Sequence, residues 1–330
     1  MAEYICIDIG GTMLKYARFD PEKGFLERQE MLTGAAQGGP AILEKVCGII
    51  ESYLLEEKSR LSSADQESRS CGMLQSTAEN SLLQDDRGQS SRFCGICIST
   101  AGIVNPETGS ILHANENIPS YTGTQIKRTV EDRFHIPCEV ENDVNCACLA
   151  EYWLGAAKGC GSCLCITIGT GIGGAFILNG SVLRGHTNSA CELGYLHVPG
   201  GTLDRRGSAR GMVMSVAERK GENADSWDGR KVFQEAEKGD IICIDAIREM
   251  ADILGHSIAD LCYVLNPEVV VLGGGIMQQE TILLPLIRKS MDAYLLPGIA
   301  EHTELRAAQY RNNAGMLGAY CHFSARNKEC

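Results

Sequence analysis

The stretch Ile136-Pro137-Cys138-Glu139-Val140-Glu141-Asn142-Asp143-Val144-Asn145, running on into Cys146-Ala147-Cys148-Leu149-Ala150-Glu151, decides how the rest of the chain is read. Pro137 can start a strand but cannot sit in a helix interior. Cys138 to Val140 alternate as a short strand does, and Asn142-Asp143 breaks the run. Val144, Ala147, Cys148 and Glu151 then recur at three- and four-residue steps, the spacing of a helix face. The pattern predicts Asp143 at the C-terminal end of a strand and at the mouth of a helix. Open α/β sheets bind their ligands at such places. Aspartate is also a common N-cap, and taken alone the stretch fits that reading better. Three glycine-rich turns elsewhere, each after a predicted strand, turn it toward chemistry.

The first turn closes Tyr4-Ile5-Cys6-Ile7-Asp8-Ile9 with Gly10-Gly11-Thr12, and Met13 to Phe19 reads as the returning strand. Paired glycines let backbone N–H groups approach an anion with no Cβ in the way. Asp8 is placed to hold a magnesium ion through water rather than to touch phosphate. The second turn lies in Leu164-Cys165-Ile166-Thr167-Ile168-Gly169-Thr170-Gly171-Ile172-Gly173-Gly174. It contains G-x-G-x-x-G, but a dinucleotide fingerprint must open a helix, and a β-type apolar run follows here. The two strand–turn–strand hairpins repeat one design in the two halves of the chain. The third turn, Gly273-Gly274-Gly275, follows the apolar strand Val269 to Leu272 and leads into a helix.

Other elements are placed by the same rules. A helix over about Pro40 to Glu57 buries Ile42, Val46, Ile49, Ile50, Tyr53 and Leu54 on one face. Residues 58–92 are rich in serine, glutamine and acidic side chains without a hydrophobic period, which predicts a surface insertion or disordered loop. Phe93 to Ser99 reads as a strand leading to Gly102, and Asn115-Glu116-Asn117 as a polar loop. Helices are expected over about 123–134, 208–220, 229–237, 241–264 and 314–323, the last packing on the N-terminal half.

Composition narrows the class. A chain of 330 residues with 44% hydrophobic content can bury a large core, by length about two domains. The net charge is −12 and the 30 basic residues are scattered, so no basic stripe speaks for nucleic acid. Apolar runs are strand-length, too short to span a bilayer. No basic segment followed by an apolar one marks the N-terminus, so a cytoplasmic location is expected. Of 16 cysteines, most lie in apolar runs as small hydrophobes. Cys94/Cys97 and Cys160/Cys163/Cys165 lack the second ligand pair that zinc requires.

Asp8-Ile9-Gly10-Gly11-Thr12, Glu141-Asn142-Asp143, Gly169-Thr170-Gly171-Ile172-Gly173-Gly174 and Leu272-Gly273-Gly274-Gly275 occur in one order over nearly the whole chain. That ordered set resembles the ROK family of sugar kinases and repressors, in the actin-like ATPase superfamily. The resemblance implies an α/β fold of two actin-like (ribonuclease H-like) domains around a central cleft: residues 1–118 with 308–330, and 119–307. It implies ATP and magnesium as cofactors, with phosphates on Gly10, Gly11, Thr12 and Gly169, Thr170, Gly171, and adenosine near Gly273, Gly274 and Gly275; Asp8 joins this ATP site through the magnesium it holds by way of water. Asp143 matches the family's general base. The sugar is implied at Gly102, Asn117, Asn142, Asp143, Glu192 and Tyr195, the phosphorylated group being the 6-hydroxyl of a hexose, N-acylhexosamine or β-glucoside. The family also implies a homodimer.

Many members carry a structural zinc site, built from a Gly-His and a following cysteine cluster. Here the histidine position reads Tyr195, and Pro199 to Gly207 holds no cysteine, so no zinc is expected. Zinc-free members with tyrosine at this place include β-glucoside kinases and glucokinase-like proteins. Met13 stands where lysine often follows the Gly-Gly-Thr, and Ala101 replaces a common proline. The rival readings are a sugar-responsive transcriptional regulator, which the acidic charge and the missing DNA-binding element oppose, and a sugar sensor without catalysis.

Overall fold

The structure, a computed structural model, describes residues 2–70, 83–84 and 90–327. The chain divides into two compact units, residues 1–146 with 315–330, and residues 147–314. The boundary thus follows Cys146, where the sequence reading has it after residue 118. The cause is strand pairing: Cys138–Asn142 hydrogen-bonds to Phe93–Thr100 and so belongs to the first sheet.

The first unit is built on a five-stranded sheet. In chain order its strands are β1 (Glu3–Ile9), β2 (Met13–Asp20), β3 (Gly24–Leu32), β4 (Phe93–Thr100) and β5 (Cys138–Asn142). In space they run β3-β2-β1-β4-β5, with β1, β4 and β5 parallel and the two hairpin pairings antiparallel. Parallel strands covered on both faces read as continuous apolar runs, as β1 does in Tyr4-Ile5-Cys6-Ile7. Helix α1 (Gly39–Ser70) buries Ile42, Val46, Ile50 and Tyr53 against Ile5, Ile7, Ile96 and Ile98. Helix α2 (Ile126–Phe134) adds Ile126 and Val130 to that core.

Helix α1 runs thirteen residues beyond its expected end. Lys58 to Ser70 contains no glycine or proline and several strong helix formers, so nothing in it stops the helix. Leu83–Gln84 and Ser90–Ser91 pair as short antiparallel strands. Residues 71–82 and 85–89 of the expected insertion lie outside the described residues.

The second unit repeats the wiring. Its strands are β6 (Ser162–Ile168), β7 (Ile172–Leu178), β8 (Ser181–Val182), β9 (Val269–Gly273) and β10 (Glu304–Ala307), in the spatial order β8-β7-β6-β9-β10. Again two antiparallel hairpin pairs adjoin a parallel set. Helices α4 (Ala209–Lys220), α5 (Gly229–Glu237), α6 (Ile241–Leu265) and α7 (Glu280–Tyr294) form the second core with Leu164, Ile166, Val270 and Leu272. Ser208, Asp228 and Asp240 cap α4, α5 and α6 by accepting N–H groups from Gly211, Lys231 and Cys243.

Helix α3 (Asp143–Trp153) follows β5, and α8 (Ala314–Arg326) ends the described chain. Tyr320 and Phe323 of α8 stack edge-on against Tyr4, as expected of a last helix that packs on the N-terminal half. Among the described residues no helix is long and apolar enough to cross a membrane.

Candidate active site

In the first unit Ile9, Thr100 and Asn142 stand abreast across the parallel strands. The Gly10–Thr12 turn, Gly102 and Asp143 therefore leave the sheet at one edge, its C-terminal edge. The Gly10 N–H donates to the Met13 carbonyl at 3.0 Å, closing the turn. A Cβ on Gly11 would meet nothing within 4 Å, so the tip faces open space. Thr33, fully buried, staples the turn from behind. Its hydroxyl donates to the Gly10 carbonyl at 2.7 Å and its N–H to the Thr12 carbonyl at 2.9 Å. Nothing in the sequence singles out this threonine, because its partners are main-chain atoms more than twenty residues away.

Asp143 is the first residue of α3, yet Asn142 caps the helix. Asn142 Oδ1 accepts the N–H groups of Val144 at 2.9 Å and Asn145 at 3.0 Å. Asn142 Nδ2 donates to the Gly102 carbonyl at 2.9 Å and to Asp143 Oδ1 at 3.0 Å. One asparagine thus caps the helix, ties down the Gly102 loop and orients the aspartate. Gly102 has φ of 97°, and a Cβ there would stand 2.8 Å from the His113 carbonyl oxygen, so the loop requires glycine. Tyr121 and Thr100 share a buried 2.5 Å hydroxyl contact. Burial pushes the Tyr121 phenol up to about 12, and the Asp143 charge adds to the shift. Asn117 is exposed on the loop after Ser110–His113.

Asp8 lies on β1 two residues before the turn. Ser99 Oγ donates to its Oδ1 at 2.7 Å, and Lys15 Nζ lies 3.8 Å from Oδ2. Burial raises its pKa, against the opposing effects of Ser99 and Lys15. A single carboxylate of this kind suits a magnesium ion that keeps most of its waters. Among the described residues no group of three or more His, Cys, Asp or Glu side chains is placed to hold a metal directly.

In the second unit the Gly169 N–H donates to the Gly171 carbonyl at 2.9 Å, and the Gly169 carbonyl accepts from Ala209 N at 3.0 Å. Thr170 at the tip is exposed. Asp204 Oδ1 accepts the Ile172 N–H just beyond this turn. A Cβ on Gly171 would stand 3.0 Å from that same oxygen, and one on Gly194 2.6 Å from it. Two glycines therefore make room for one carboxylate. That carboxylate links the turn to the 3-10 segment Leu193–Tyr195, with Glu192 at its start and Tyr195 68% exposed.

Beside the turn lies a cavity of about 350 Å³, lined by Gly169, Ala209, Arg230, Phe233, Gly275 and Gln279, among others. Its size and its mix of a phenyl ring with polar groups suit a small ligand. The three glycines of the third turn divide their duties. Gly273 is the buried end of β9, and Gly274, with φ of 91°, packs where a Cβ would stand 2.2 Å from the Ile168 carbonyl oxygen. Only Gly275 borders the cavity. The sequence reading reached the glycines but not Asp204, Arg230, Phe233 or Gln279, which sit on helices and helix ends with ordinary core and cap patterns.

Two sheets of one strand order, each with a glycine hairpin turn at the edge where its parallel strands end, define an actin-like α/β protein. The chain belongs to the ROK family, whose profile matches residues 62–326. It is 41% identical over 323 residues to an uncharacterised protein of Clostridium perfringens, covering 98% of each chain. It is 33% identical over 238 residues to a β-glucoside kinase of Klebsiella pneumoniae, covering 70% of this chain and 78% of that one. Among solved structures, a ROK family glucokinase from Streptomyces griseus in complex with glucose and AMPPNP superposes with a TM-score of 0.73 at 26% identity. That match covers 96% of this chain and 98% of the other.

Proposed function

We propose that the protein is an ATP-dependent sugar kinase that transfers the γ-phosphoryl group to a sugar hydroxyl, with Asp143 as general base. Membership of the ROK family and the kinase relatives support the reaction class. The observation that carries the assignment of the base is the division of labour at the start of α3. Asn142 Oδ1 accepts the N–H groups of both Val144 and Asn145, whereas Asp143 Oδ1 only shares that of Val144, so the cap does not depend on the aspartate. Asp143 is also held by Asn142 Nδ2, at the sheet edge that bears the Gly10–Thr12 turn.

A hydroxyl hydrogen-bonded to Asp143 can lose its proton to the carboxylate as it attacks phosphorus, and alignment and charge neutralisation supply the rest. Backbone N–H groups of Gly10–Thr12 and Gly169–Gly171 are the proposed phosphate contacts, with the adenosine in the cavity beside Gly275. Asp8 would hold magnesium through water, and the ion would neutralise charge on the phosphates. Gly102, Asn117 and Asn142 of the first unit, and Glu192 and Tyr195 of the second, are the proposed sugar contacts. The exposed Tyr195 ring suits the apolar face of a hexose or of a β-glucoside. The same reading takes the enzyme as a cytoplasmic homodimer. The named relatives with a stated activity are both kinases, and the regulator alternative is not favoured.

The deciding experiment compares wild type with Asp143→Asn in an ADP-release assay across hexoses, N-acylhexosamines and β-glucosides. The variant is expected to bind nucleotide normally and to lose about 10²–10⁴-fold in turnover. Undiminished phosphorylation by the variant removes the base assignment, and inactivity of the wild type on every acceptor removes the kinase reading.

A further inference from the structure

The sheet face that carries Asp8 and Ser99 also carries two glutamates that the proposed reaction does not use. Register sets Glu141 abreast of Ser99 and Glu139 abreast of Cys97. Glu141 is fully buried and Glu139 is 5% exposed. A buried carboxylate is costly unless it is matched by charge and hydrogen bonds. Glu139 is matched by Lys127 Nζ at 2.8 Å and Arg326 Nε at 3.1 Å. Arg326 also forks onto both oxygens of Glu107 at 2.9 Å.

Glu141 is matched differently. Its Oε1 accepts the Asn142 N–H at 2.7 Å and Asn145 Nδ2 at 3.0 Å. Its Oε2 faces Nδ1 of His322 at 3.7 Å, and the other nitrogen of that ring faces Glu139 Oε2 at 3.9 Å. His322, on α8 and 4% exposed, thus lies between two carboxylates. Cys146 packs against the same place, and burial first, then the Glu141 charge, pushes its thiol well above the ordinary range.

We infer that Glu141, with His322 behind it, is a positioning residue for the reaction. It fixes the main chain of Asn142, and Asn142 in turn orients the Asp143 carboxylate. The inference rests on Asp143 being the base. The physical reason is leverage: Asn142 holds the helix cap, the Gly102 carbonyl and the aspartate with one side chain, so a small rotation of its backbone moves all three contacts together. A misplacement of about 1 Å at a reacting group costs on the order of 10²-fold in rate. Glu141 is fully buried and acts through Asn142 rather than on a ligand.

The test is steady-state kinetics on Glu141→Ala, Glu141→Gln, Glu141→Met and His322→Phe, with Asp143→Asn in the same series. Glu141→Ala is expected to lose about 10- to 100-fold in kcat while KM for ATP stays within about twofold. Glu141→Gln keeps an acceptor oxygen and is expected to recover most of that loss, whereas Glu141→Met, of similar volume but with no acceptor for the Asn142 N–H, is expected to stay impaired, which a role in packing alone would not give. His322→Phe is expected to lower kcat in the wild-type background and to add nothing in Glu141→Ala, the non-additivity of a shared network. Should Glu141→Ala fail to fold, Glu141→Gln and His322→Phe still decide the matter through kcat and its independence of ATP binding. Wild-type kcat in Glu141→Ala overturns the inference, and so does a glutamine variant as impaired as the alanine one with KM for ATP raised alongside. An inactive Asp143→Asn beside a fully active Glu141→Ala rejects the positioning role alone, whereas an active Asp143→Asn rejects the base on which it rests.

Discussion

Asp204 accepts the main-chain N–H of Ile172 from a berth that only the absence of side chains on Gly171 and Gly194 provides. The carboxylate thus pins the second glycine turn, and a hydrogen bond to a charged group contributes about 1.5–3 kcal/mol. Asp204→Ala is expected to raise KM for ATP about tenfold or more, and Asp204→Asn, which keeps an acceptor oxygen, to raise it less. Gly194→Ala should mimic the alanine variant from the opposite side. Unchanged ATP affinity in all three would show that the turn needs no such support.

The cavity beside Gly275 has a built-in reporter. Trp227 is 8% exposed and directly precedes the lining residues Asp228, Gly229 and Arg230. Lys231 Nζ lies 4.2 Å from its ring centre, within the range of a cation–π contact. The only other tryptophan, Trp153, is 46% exposed. ATP, added to a Trp153→Phe background, should change the remaining emission saturably, and Arg230→Ala should shift that titration to higher nucleotide concentration. Emission that ignores ATP while the enzyme still turns over would move the nucleotide elsewhere.

The raised pKa of Asp8 has a consequence for metal dependence. Burial makes the neutral acid the favoured form to a higher pH than for an ordinary aspartate, and a magnesium ion held there, as proposed, would have to displace that proton. Activation by magnesium is therefore expected to weaken as pH falls through the raised value, the half-saturating concentration climbing with each proton gained. The fold responds with the opposite sign: the buried carboxylate lowers stability as pH rises from its unfolded to its folded pKa. Asp8→Asn should abolish the pH dependence of metal activation, and a flat profile in the wild type would remove Asp8 from the metal site.

A stability test is available at Gly318. A Cβ there would stand 1.7 Å from the Cys146 carbonyl oxygen, a main-chain atom that cannot swing aside. Gly318→Ala is expected to cost about 1–3 kcal/mol or more, read from the denaturation midpoint, because close packing leaves no room for an added methyl. A wild-type midpoint would mean that α8 can shift without penalty.

Much of this was legible beforehand, for physical reasons. Buried strands and glycine turns are local signals, so Tyr4 to Thr12, Cys138 to Asp143 and Leu164 to Gly174 announce their hairpins and junctions without the rest of the chain. The end of α1 is not legible, because polar composition suggests a loop while helix propensity without a breaker carries Lys58 to Ser70 onward. Asn142 as the cap is ambiguous in sequence, since Asn and Asp both serve and they are adjacent. Thr33, Asp204 and His322 left no trace, as each acts on residues distant along the chain and has no period or motif of its own.

The repeated wiring shows where each half has grown. In the first sheet the slot between the third and fourth strands, residues 33–92, holds, among the described residues, α1, one 3-10 turn and one short strand pair; in the second the same slot, residues 183–268, holds Glu192, Tyr195, Asp204 and helices that wall the cavity. That slot leaves from an edge strand, where added chain disturbs no central pairing. Chain can be added or replaced there at least cost to the framework, so, if Glu192 and Tyr195 hold the sugar as proposed, exchanging residues 183–268 between relatives should carry sugar preference with it.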